Sequence, residues 1–169
     1  MFQMGFVGFH VDLVGTANGH HVADFKGFVE GVFEFPFLAH APMEPHDVVI
    51  KFDGTSADIW TGSQLQTVDQ FVASTVLGIE LPNVRVHTLW AGGSFGRRAI
   101  YDSHIVGEAA QLAKAWGKKQ PLKIQWSRED DIRGGYYRPM YIHKVRAGID
   151  EKGMIVGWQH RIIGQSIDW

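Results

Sequence analysis

One stretch of the sequence combines residue types that could bind an anion. Residues 91–98 read AGGSFGRR, so three glycines are followed by two arginines. Glycine permits positive φ angles and lets a ligand approach the backbone, and successive peptide N–H groups in such a turn can hold an anion. Arginine adds a fixed charge and forked donors that suit phosphate. The stretch therefore predicts a backbone cradle for a phosphorylated or otherwise anionic cofactor, with an ordinary surface loop of this composition as an equal alternative.

The segments on either side of this stretch predict how the fold presents it. Residues 84–87 alternate apolar and polar side chains, which is typical of a strand, and residues 101–116 have helical periodicity. The stretch is thus predicted to connect a strand to a helix, whose N-terminal dipole would favour an anion. It matches neither the Walker loop nor the G-x-G-x-x-G fingerprint. The side chains predicted to form the buried face of the helix are Ile105, Val106, Ala109, Leu112, Ala113 and Trp116.

A second group of chemically active residues lies at residues 40–47, which read HAPMEPHD. Two histidines and two acids could ligate zinc, and a metal site built from His40, Glu44 and His46 is one hypothesis. Pro42 and Pro45 exclude a helix that would place the ligands on one face. We favour the alternative, a kinked and partly buried segment whose polar groups are satisfied by the protein.

A helix is predicted between these two groups of residues. Ser63 and Gln66 have the spacing of a capping box at its start, and Gly78 supplies its end. Gln64 would lie at the helix start, where its amide is held in a fixed place, although a glutamine in such a position is usually only solvated. The apolar side chains predicted to face the core from this helix are Leu65, Val68, Phe71, Val72 and Val76.

The remaining elements are mostly strands and hairpins. The predicted strands are residues 28–35, 48–52, 57–61, 84–87, 122–126, 141–149 and 154–164. An Asp53-Gly54 turn joins the second and third of them in a hairpin. Residues 127–139 are predicted to be a charged loop, either a solvated run or an internal salt-bridge latch over the cofactor edge. The order of elements predicts an α+β fold, a mixed sheet with β-hairpins and two packed helices.

Length and composition limit the class of protein. The 169 residues are 45% hydrophobic and 20% charged, which fits one soluble globular domain with a real core. The net charge of −2 does not favour a nucleic-acid or anionic-membrane partner. The chain has no cysteine, so disulfides, iron–sulfur ligation and a cysteine nucleophile are excluded within it. No apolar run reaches the roughly 20 residues that a membrane span needs, and nothing distinguishes a cytoplasmic from a periplasmic location.

Five motifs occur in one order along the chain and together carry a resemblance to a known family. They are WTGSQ at residues 60–64, LG at 77–78, VRVH at 84–87, GGSFGRR at 92–98 and REDD at 128–131. This series resembles the molybdenum-binding subunit of the xanthine dehydrogenase/aldehyde oxidase family. The Arg-Arg ending of the glycine-rich stretch and LAHAPMEP at residues 38–45 are most similar to the bacterial isoquinoline 1-oxidoreductase β-subunit type. The resemblance covers residues 29–165.

The resemblance implies a cofactor and a set of site residues. Residues 22–169 would form part of a domain that binds molybdopterin with molybdenum, as the cytosine dinucleotide, while residues 1–21 stay unassigned. Gln64 would donate a hydrogen bond to an oxo ligand on molybdenum, which makes it the implied catalytic residue. His40 and Glu44 would support the cofactor end of the domain without ligating a metal. The implied cofactor-binding residues are Gly92, Gly93, Ser94, Phe95, Gly96 and Arg97, of which Phe95 also walls the site and Arg97 either contacts the cofactor or anchors the loop.

The resemblance further implies oxidative hydroxylation of an aldehyde or N-heterocycle, with iron–sulfur clusters on a small partner subunit. The family's catalytic glutamate lies near the far C-terminus of a much longer subunit, and this chain has no candidate for it. Ala99 stands where purine-oxidising members carry a glutamate. We therefore expect a segment of a larger catalytic subunit that needs the remaining segments, is inactive alone and is not specific for purines. The alternative is a non-catalytic anion- or cofactor-binding or assembly module.

Overall fold

The computed structural model describes residues 8–16 and 27–165. The chain divides into two compact units, one built from residues 1–38 and 137–169 and the other from residues 39–136. In the described part, no helix is long and apolar enough to cross a membrane. The domain boundary predicted after residue 21 lies outside the described residues and stays a prediction.

The first unit is a four-stranded antiparallel sheet in the order β1-β8-β7-β2. Its strands are β1 (Gly8–Thr16), β2 (Gly27–Phe35), β7 (Tyr141–Ile149) and β8 (Ile155–Gln165). β7 and β8 form the predicted C-terminal hairpin, and β2 is the predicted strand at residues 28–35. The Asp150 carboxylate accepts from the N–H groups of Lys152 and Met154 and so fixes the turn between β7 and β8.

The second unit has a sheet in the order β5-β4-β3-β6 with helices packed on one face. Its strands are β3 (Asp47–Phe52), β4 (Ala57–Thr61), β5 (Val84–Thr88) and β6 (Leu122–Gln125). β3 pairs antiparallel with β4 and β6, whereas β4 and β5 are parallel. The β3–β4 hairpin is confirmed; Asp53 accepts from Thr55 and Ser56, and Gly54 has a φ of 100°.

Three helices complete the second unit: α1 (Gln66–Leu77), α2 (His104–Trp116) and α3 (Arg128–Arg133). α1 connects β4 to the parallel strand β5, so the helix crosses one face of the sheet. Small residues on α2 allow close packing against that face. The core between the helices and the sheet consists of Val48, Ile50, Ala57, Ile59, Ala73, Leu77, Val84, Ile105, Val106, Ala109, Ala110 and Ala113.

The start and the buried face of α1 differ from the prediction. The helix begins after Leu65 without a side-chain cap, so the predicted capping box is wrong. Instead, the Ser63 hydroxyl donates to the carboxylate of Asp69, and the Gln66 amide donates to the Ser63 carbonyl. The buried positions of α1 are Asp69, Ala73 and Leu77 rather than the larger apolar residues predicted. A carboxylate that hydroxyl groups satisfy can occupy a buried position that periodicity reserves for an apolar side chain.

The start and the buried face of α2 also need correction. The helix begins at His104 rather than at residue 101. Leu112 and Trp116, which were predicted to be buried, are 45% and 38% exposed, whereas Gly107 and Ala110 are buried. A Cβ atom on Gly107 would lie 3.2 Å from Val72 on α1, so the two helices are too close for larger side chains there.

The charged segment after β6 is partly helical rather than a loop throughout. α3 occupies Arg128–Arg133, and the Ser127 hydroxyl caps it by accepting from the Asp130 N–H. Three acids in its first turn, Glu129, Asp130 and Asp131, suit the positive end of the helix dipole.

Candidate functional site

The glycine-rich loop, residues 91–98, follows β5 and has an unusual backbone. Gly93, Phe95 and Gly96 have φ values of 98°, 57° and 99°. Positive φ is uncommon for a bulky residue such as Phe95 and marks a specially shaped turn. α2 begins only at His104, so the predicted placement of the loop at the helix start is wrong and the helix dipole does not act on it directly. The donors that the loop can offer a ligand are therefore those of its own backbone.

The peptide N–H groups of the loop fall into two sets. The first set bonds within the protein. The Gly92 N–H donates to Glu44 Oε2 at 2.6 Å. The N–H groups of Arg97 and Arg98 donate to the carbonyl and the hydroxyl of Ser94, at 3.1 and 3.0 Å respectively. For the four residues between them, the described part of the chain supplies no acceptor. Those four residues are Gly93, Ser94, Phe95 and Gly96. Consecutive N–H groups without an internal partner in a positive-φ turn form a concavity that binds anions or polar ligand atoms.

Glu44 clamps this loop from a segment 48 residues away in the sequence. Its carboxylate accepts from the Gly92 N–H and, at 2.9 Å, from the guanidinium of Arg98. Its own N–H donates to the Gly92 carbonyl at 3.1 Å. A Cβ atom on Gly92 would lie 2.7 Å from the Glu44 Cβ, so only glycine fits this approach. Burial alone would raise the pKa of the Glu44 carboxyl, but the hydrogen bonds from Gly92 and Asp47 and the charge and hydrogen bond of Arg98 outweigh it and lower that pKa.

The two arginines of the loop point inward, not toward a ligand. Arg98 donates to the Gly62 carbonyl and to Glu44, and its side chain is 2% exposed. Arg97 is also 2% exposed and donates to the Gly134 carbonyl at 3.1 Å, while its other terminal nitrogen lies 3.0 Å from the His104 ring. Of the two roles considered for Arg97, the geometry favours the anchor of the loop.

Gln64 contacts the loop through both its backbone and its side chain. Its N–H donates to the Arg98 carbonyl at 3.1 Å, and its side-chain oxygen accepts from the Ser94 hydroxyl. The Ser94 oxygen already accepts from the Arg98 N–H, so its proton is directed at Gln64. This bond fixes the amide orientation and leaves the NH2 group of the exposed Gln64 side chain as the free donor.

The charged segment that includes α3 contacts the segment of residues 43–46, which packs against the loop. Arg128 bonds the buried Asp131 at 2.9 Å and donates to the Met43 carbonyl at 2.8 Å. Asp131 in turn accepts from the backbone N–H of His46. The structure therefore shows an internal salt-bridge latch rather than a fully solvated run; whether it covers a cofactor edge stays a prediction.

The histidine-rich segment at residues 40–47 does not form a metal centre in the described part of the chain, where no three His, Asp or Glu side chains converge. The Glu44 carboxylate is engaged by the loop, and His46 is only 1% exposed. Burial, together with the positive charges of Arg97 and Arg98, lowers the pKa of His46 to about 3. The His46 ring is therefore neutral at physiological pH and packs edge-on against Trp126 and His104.

Comparison with known proteins identifies the family. A sequence profile described as the molybdopterin cofactor-binding domain matches residues 14–166. The β-subunit of isoquinoline 1-oxidoreductase from Brevundimonas diminuta is 37% identical over 129 residues, which are 75% of this chain. The chain belongs to the molybdopterin cofactor-binding domain family. This is the family of the aldehyde oxidoreductases and xanthine dehydrogenases, as the sequence motifs predict.

The relatives are much longer than this chain. It spans 16% of the length of the Brevundimonas subunit. The aldehyde oxidoreductase molybdenum-binding subunit PaoC of Escherichia coli K12 is 27% identical over 147 residues, which are 83% of this chain and 20% of that subunit. Among solved structures, quinoline 2-oxidoreductase from Pseudomonas putida 86 matches with a TM-score of 0.61 over 87% of this chain and 19% of its own, at 18% identity. Aldehyde oxidoreductase from Desulfovibrio gigas matches with a TM-score of 0.58 at 20% identity, over 87% of this chain and 16% of its own. These structures confirm the α+β fold.

Two features under the site escaped the sequence analysis. Asp69 on α1 accepts from the hydroxyls of Ser63 and Ser103, so one buried carboxylate joins the starts of α1 and α2. His104 lies between Arg97 and Asp102, 3.4 Å from the latter. The only sequence signal for the first feature is the four-residue spacing of Asp69, Ala73 and Leu77, which places an acid on the buried face of a helix.

We expect Glu44→Ala to destabilise the chain and release the loop. Loss of the carboxylate leaves the buried Arg98 with only the longer ion pair to Asp47, at 3.9 Å, among the described residues. It also leaves the Gly92 N–H without its acceptor, and together these losses should cost about 2–3 kcal/mol. Urea unfolding measures the loss, and hydrogen exchange at the Gly92 amide should accelerate. Asp58→Ala is the control, because Asp58 pairs with the exposed Arg85 on the sheet surface and should matter much less. Equal effects of the two substitutions would contradict the clamp.

We expect the neutral His46 to make stability pH-dependent. Because the pKa is about 3 in the folded chain and near 6.5 when unfolded, the unfolded state binds the proton first as pH falls. The free energy of unfolding should therefore decrease below pH 6.5 by up to about 1.4 kcal/mol per pH unit from this group. Urea unfolding between about pH 4.5 and 7.5 should show a shallower slope for His46→Gln. A slope in His46→Gln that equals the wild-type slope would refute the assignment.

Proposed function

We propose that the chain is the part of a molybdenum hydroxylase subunit that holds the cofactor through the backbone of its glycine-rich loop. The observation that carries this proposal is the run of four peptide N–H groups, Gly93 to Gly96, that have no acceptor in the described part of the chain. Molybdopterin ends in a phosphate, and its metal carries oxygen ligands, so the cofactor presents the acceptors that such donors need. The donor set of the loop therefore fits the cofactor of the family.

Gln64 is the side chain proposed to reach the metal end of the cofactor. Its amide oxygen is occupied by the Ser94 hydroxyl, so the NH2 group is the end available to a ligand. An oxo group is an acceptor, which matches that free donor. Ser94 would then act through Gln64, by fixing the direction in which its amide points.

The cofactor, when bound, supplies the redox chemistry for hydroxylating an electron-poor carbon. The residues of this chain would bind and orient it: the loop amides hold it, Gln64 fixes one ligand, and the exposed Phe95 ring bounds the site. The names of the relatives, an isoquinoline oxidoreductase and an aldehyde oxidoreductase, support an N-heterocycle or an aldehyde as substrate. We further propose the cytosine dinucleotide form of the cofactor, by resemblance to the bacterial isoquinoline-oxidising enzymes.

The same proposal requires other parts of an enzyme. By resemblance to the family, we propose that electrons leave through a small iron–sulfur partner subunit. This chain spans only 16–20% of the length of two relatives. The catalytic glutamate of the family would therefore come from the remaining segments of the large subunit. The chain alone is therefore expected to bind the cofactor without turnover.

Gly93→Ala should reduce cofactor retention. Gly93 has a φ of 98°, which an L side chain rarely adopts, so alanine would turn the N–H groups away from their present direction. The chain is co-expressed with the pterin-synthesis pathway, and bound molybdenum and released pterin are measured per mole of protein. Gly54→Ala is a matched control, because Gly54 has a φ of 100° in the remote β3–β4 turn. A folded wild-type chain without molybdenum or pterin, or equal retention in both variants, would contradict the proposal.

Gln64→Ala should lower molybdenum content more than pterin content, since Gln64 is proposed to hold the metal end only. Gln66→Ala serves as its control, because this exposed glutamine lies two residues away and its amide donates to the Ser63 carbonyl, not to the loop. The same molybdenum and pterin assays compare the two variants. Parallel loss of molybdenum and pterin in Gln64→Ala would indicate a disturbed loop instead of a missing metal contact.

A further inference from the structure

A small cavity lies below the glycine-rich loop in the second unit. Its volume is about 20 Å³. It is bordered by the end of β4, the buried side of the loop and the start of α2, and it is partly open to solvent. The residues that contribute polar groups to its wall include His46, Thr61, Asp69, Arg98, Ser103 and His104.

Several polar atoms in this wall make no hydrogen bond of good geometry to the described residues. Neither ring nitrogen of His46, nor the Nε of Arg98, makes a hydrogen bond of good geometry. The His46 residue is 1% exposed and the Arg98 side chain 2% exposed, so bulk water cannot satisfy them. A buried donor or acceptor without a partner is strongly unfavourable, and native proteins satisfy nearly all such groups.

We propose that this cavity is a binding site for one internal water molecule, which bridges His46 and Arg98 beneath the loop. An internal water needs about 10–15 Å³ of accessible space and two to four polar partners, and the cavity offers both. Water can accept from the Arg98 Nε–H while it donates to, or accepts from, the imidazole. The Thr61 hydroxyl, which donates to the Asp47 carbonyl at 2.8 Å, keeps its lone pairs for a further bond.

The charges around the cavity select water over an ion. Arg97 and Arg98 both line it, and they repel a metal or ammonium cation. The carboxylate of Asp69 lies in the same wall and disfavours an anion. A neutral dipole can turn its hydrogens toward one side and its oxygen toward the other.

The water would contact Arg98, a side chain that holds the loop in place. Arg98 is the side chain that holds both Glu44 and the Gly62 carbonyl. A bond at its Nε would complete the coordination of the guanidinium and fix the plane in which the other two bonds lie. This inference rests on the cavity and its wall, so it stands or falls separately from the proposed cofactor.

A high-resolution crystal structure of the whole chain tests the proposal. We expect a density peak within hydrogen-bond distance of both the His46 ring and Arg98 Nε, with no anomalous signal after a bromide soak. A cavity without density, a side chain that fills it, or a bromide peak at that position would overturn the proposal.

His46→Phe provides a second test in solution. Phenylalanine removes both ring nitrogens and adds volume, so the oxygen-17 relaxation dispersion of the solvent should lose the contribution of about one long-lived water. His87→Phe, at an exposed position, is the control and should keep the wild-type amplitude. Equal amplitudes in His46→Phe and wild type would contradict the site, and the wild-type crystal structure decides the question if His46→Phe does not fold.

Discussion

The candidate site depends on the contact between Glu44 and the glycine-rich loop. One carboxylate receives the Gly92 N–H at 2.6 Å and the Arg98 guanidinium at 2.9 Å. The same guanidinium reaches the Gly62 carbonyl, next to Gln64 in the chain. Three segments that are distant in sequence are thereby fixed around one buried charge. A charge-assisted network of this kind is strong because its bonds share one guanidinium and one carboxylate, and it fails when one member is removed.

This contact also determines what the loop can offer a ligand. Arg97 and Arg98 are buried and anchor the loop, so their positive charges do not point to the surface where a cofactor could bind. The donors that remain are neutral peptide N–H groups, whose positions are set by the backbone and not by flexible side chains. We therefore expect ligand selection at this loop to depend on the placement of the ligand's acceptor atoms more than on its net charge.

The sequence predicted the local elements well and the long-range contacts poorly. The β3–β4 and β7–β8 hairpins follow from alternation and turn residues, which act over a few positions. The Glu44 clamp spans 48 residues, and no local pattern reveals which acid meets which amide. The burial of Arg97 and Asp69 could not be predicted for the same reason. Polar side chains are expected at the surface unless a specific buried partner is known. Gln64 and the four loop amides were named in advance through a family resemblance, and their roles stay proposals.

The loop is shaped before any ligand arrives. A left-handed Phe95 costs on the order of 1–3 kcal/mol, and such strain persists only where the surroundings enforce it. Here Glu44, the Ser94 hydroxyl and the two buried arginines enforce it from below. The free-energy cost of ordering the loop is thus part of the folding free energy. It is not subtracted from the free energy of binding a ligand. The many polar side chains beneath the loop therefore have a common effect: they hold in position the backbone N–H groups that we propose bind the cofactor.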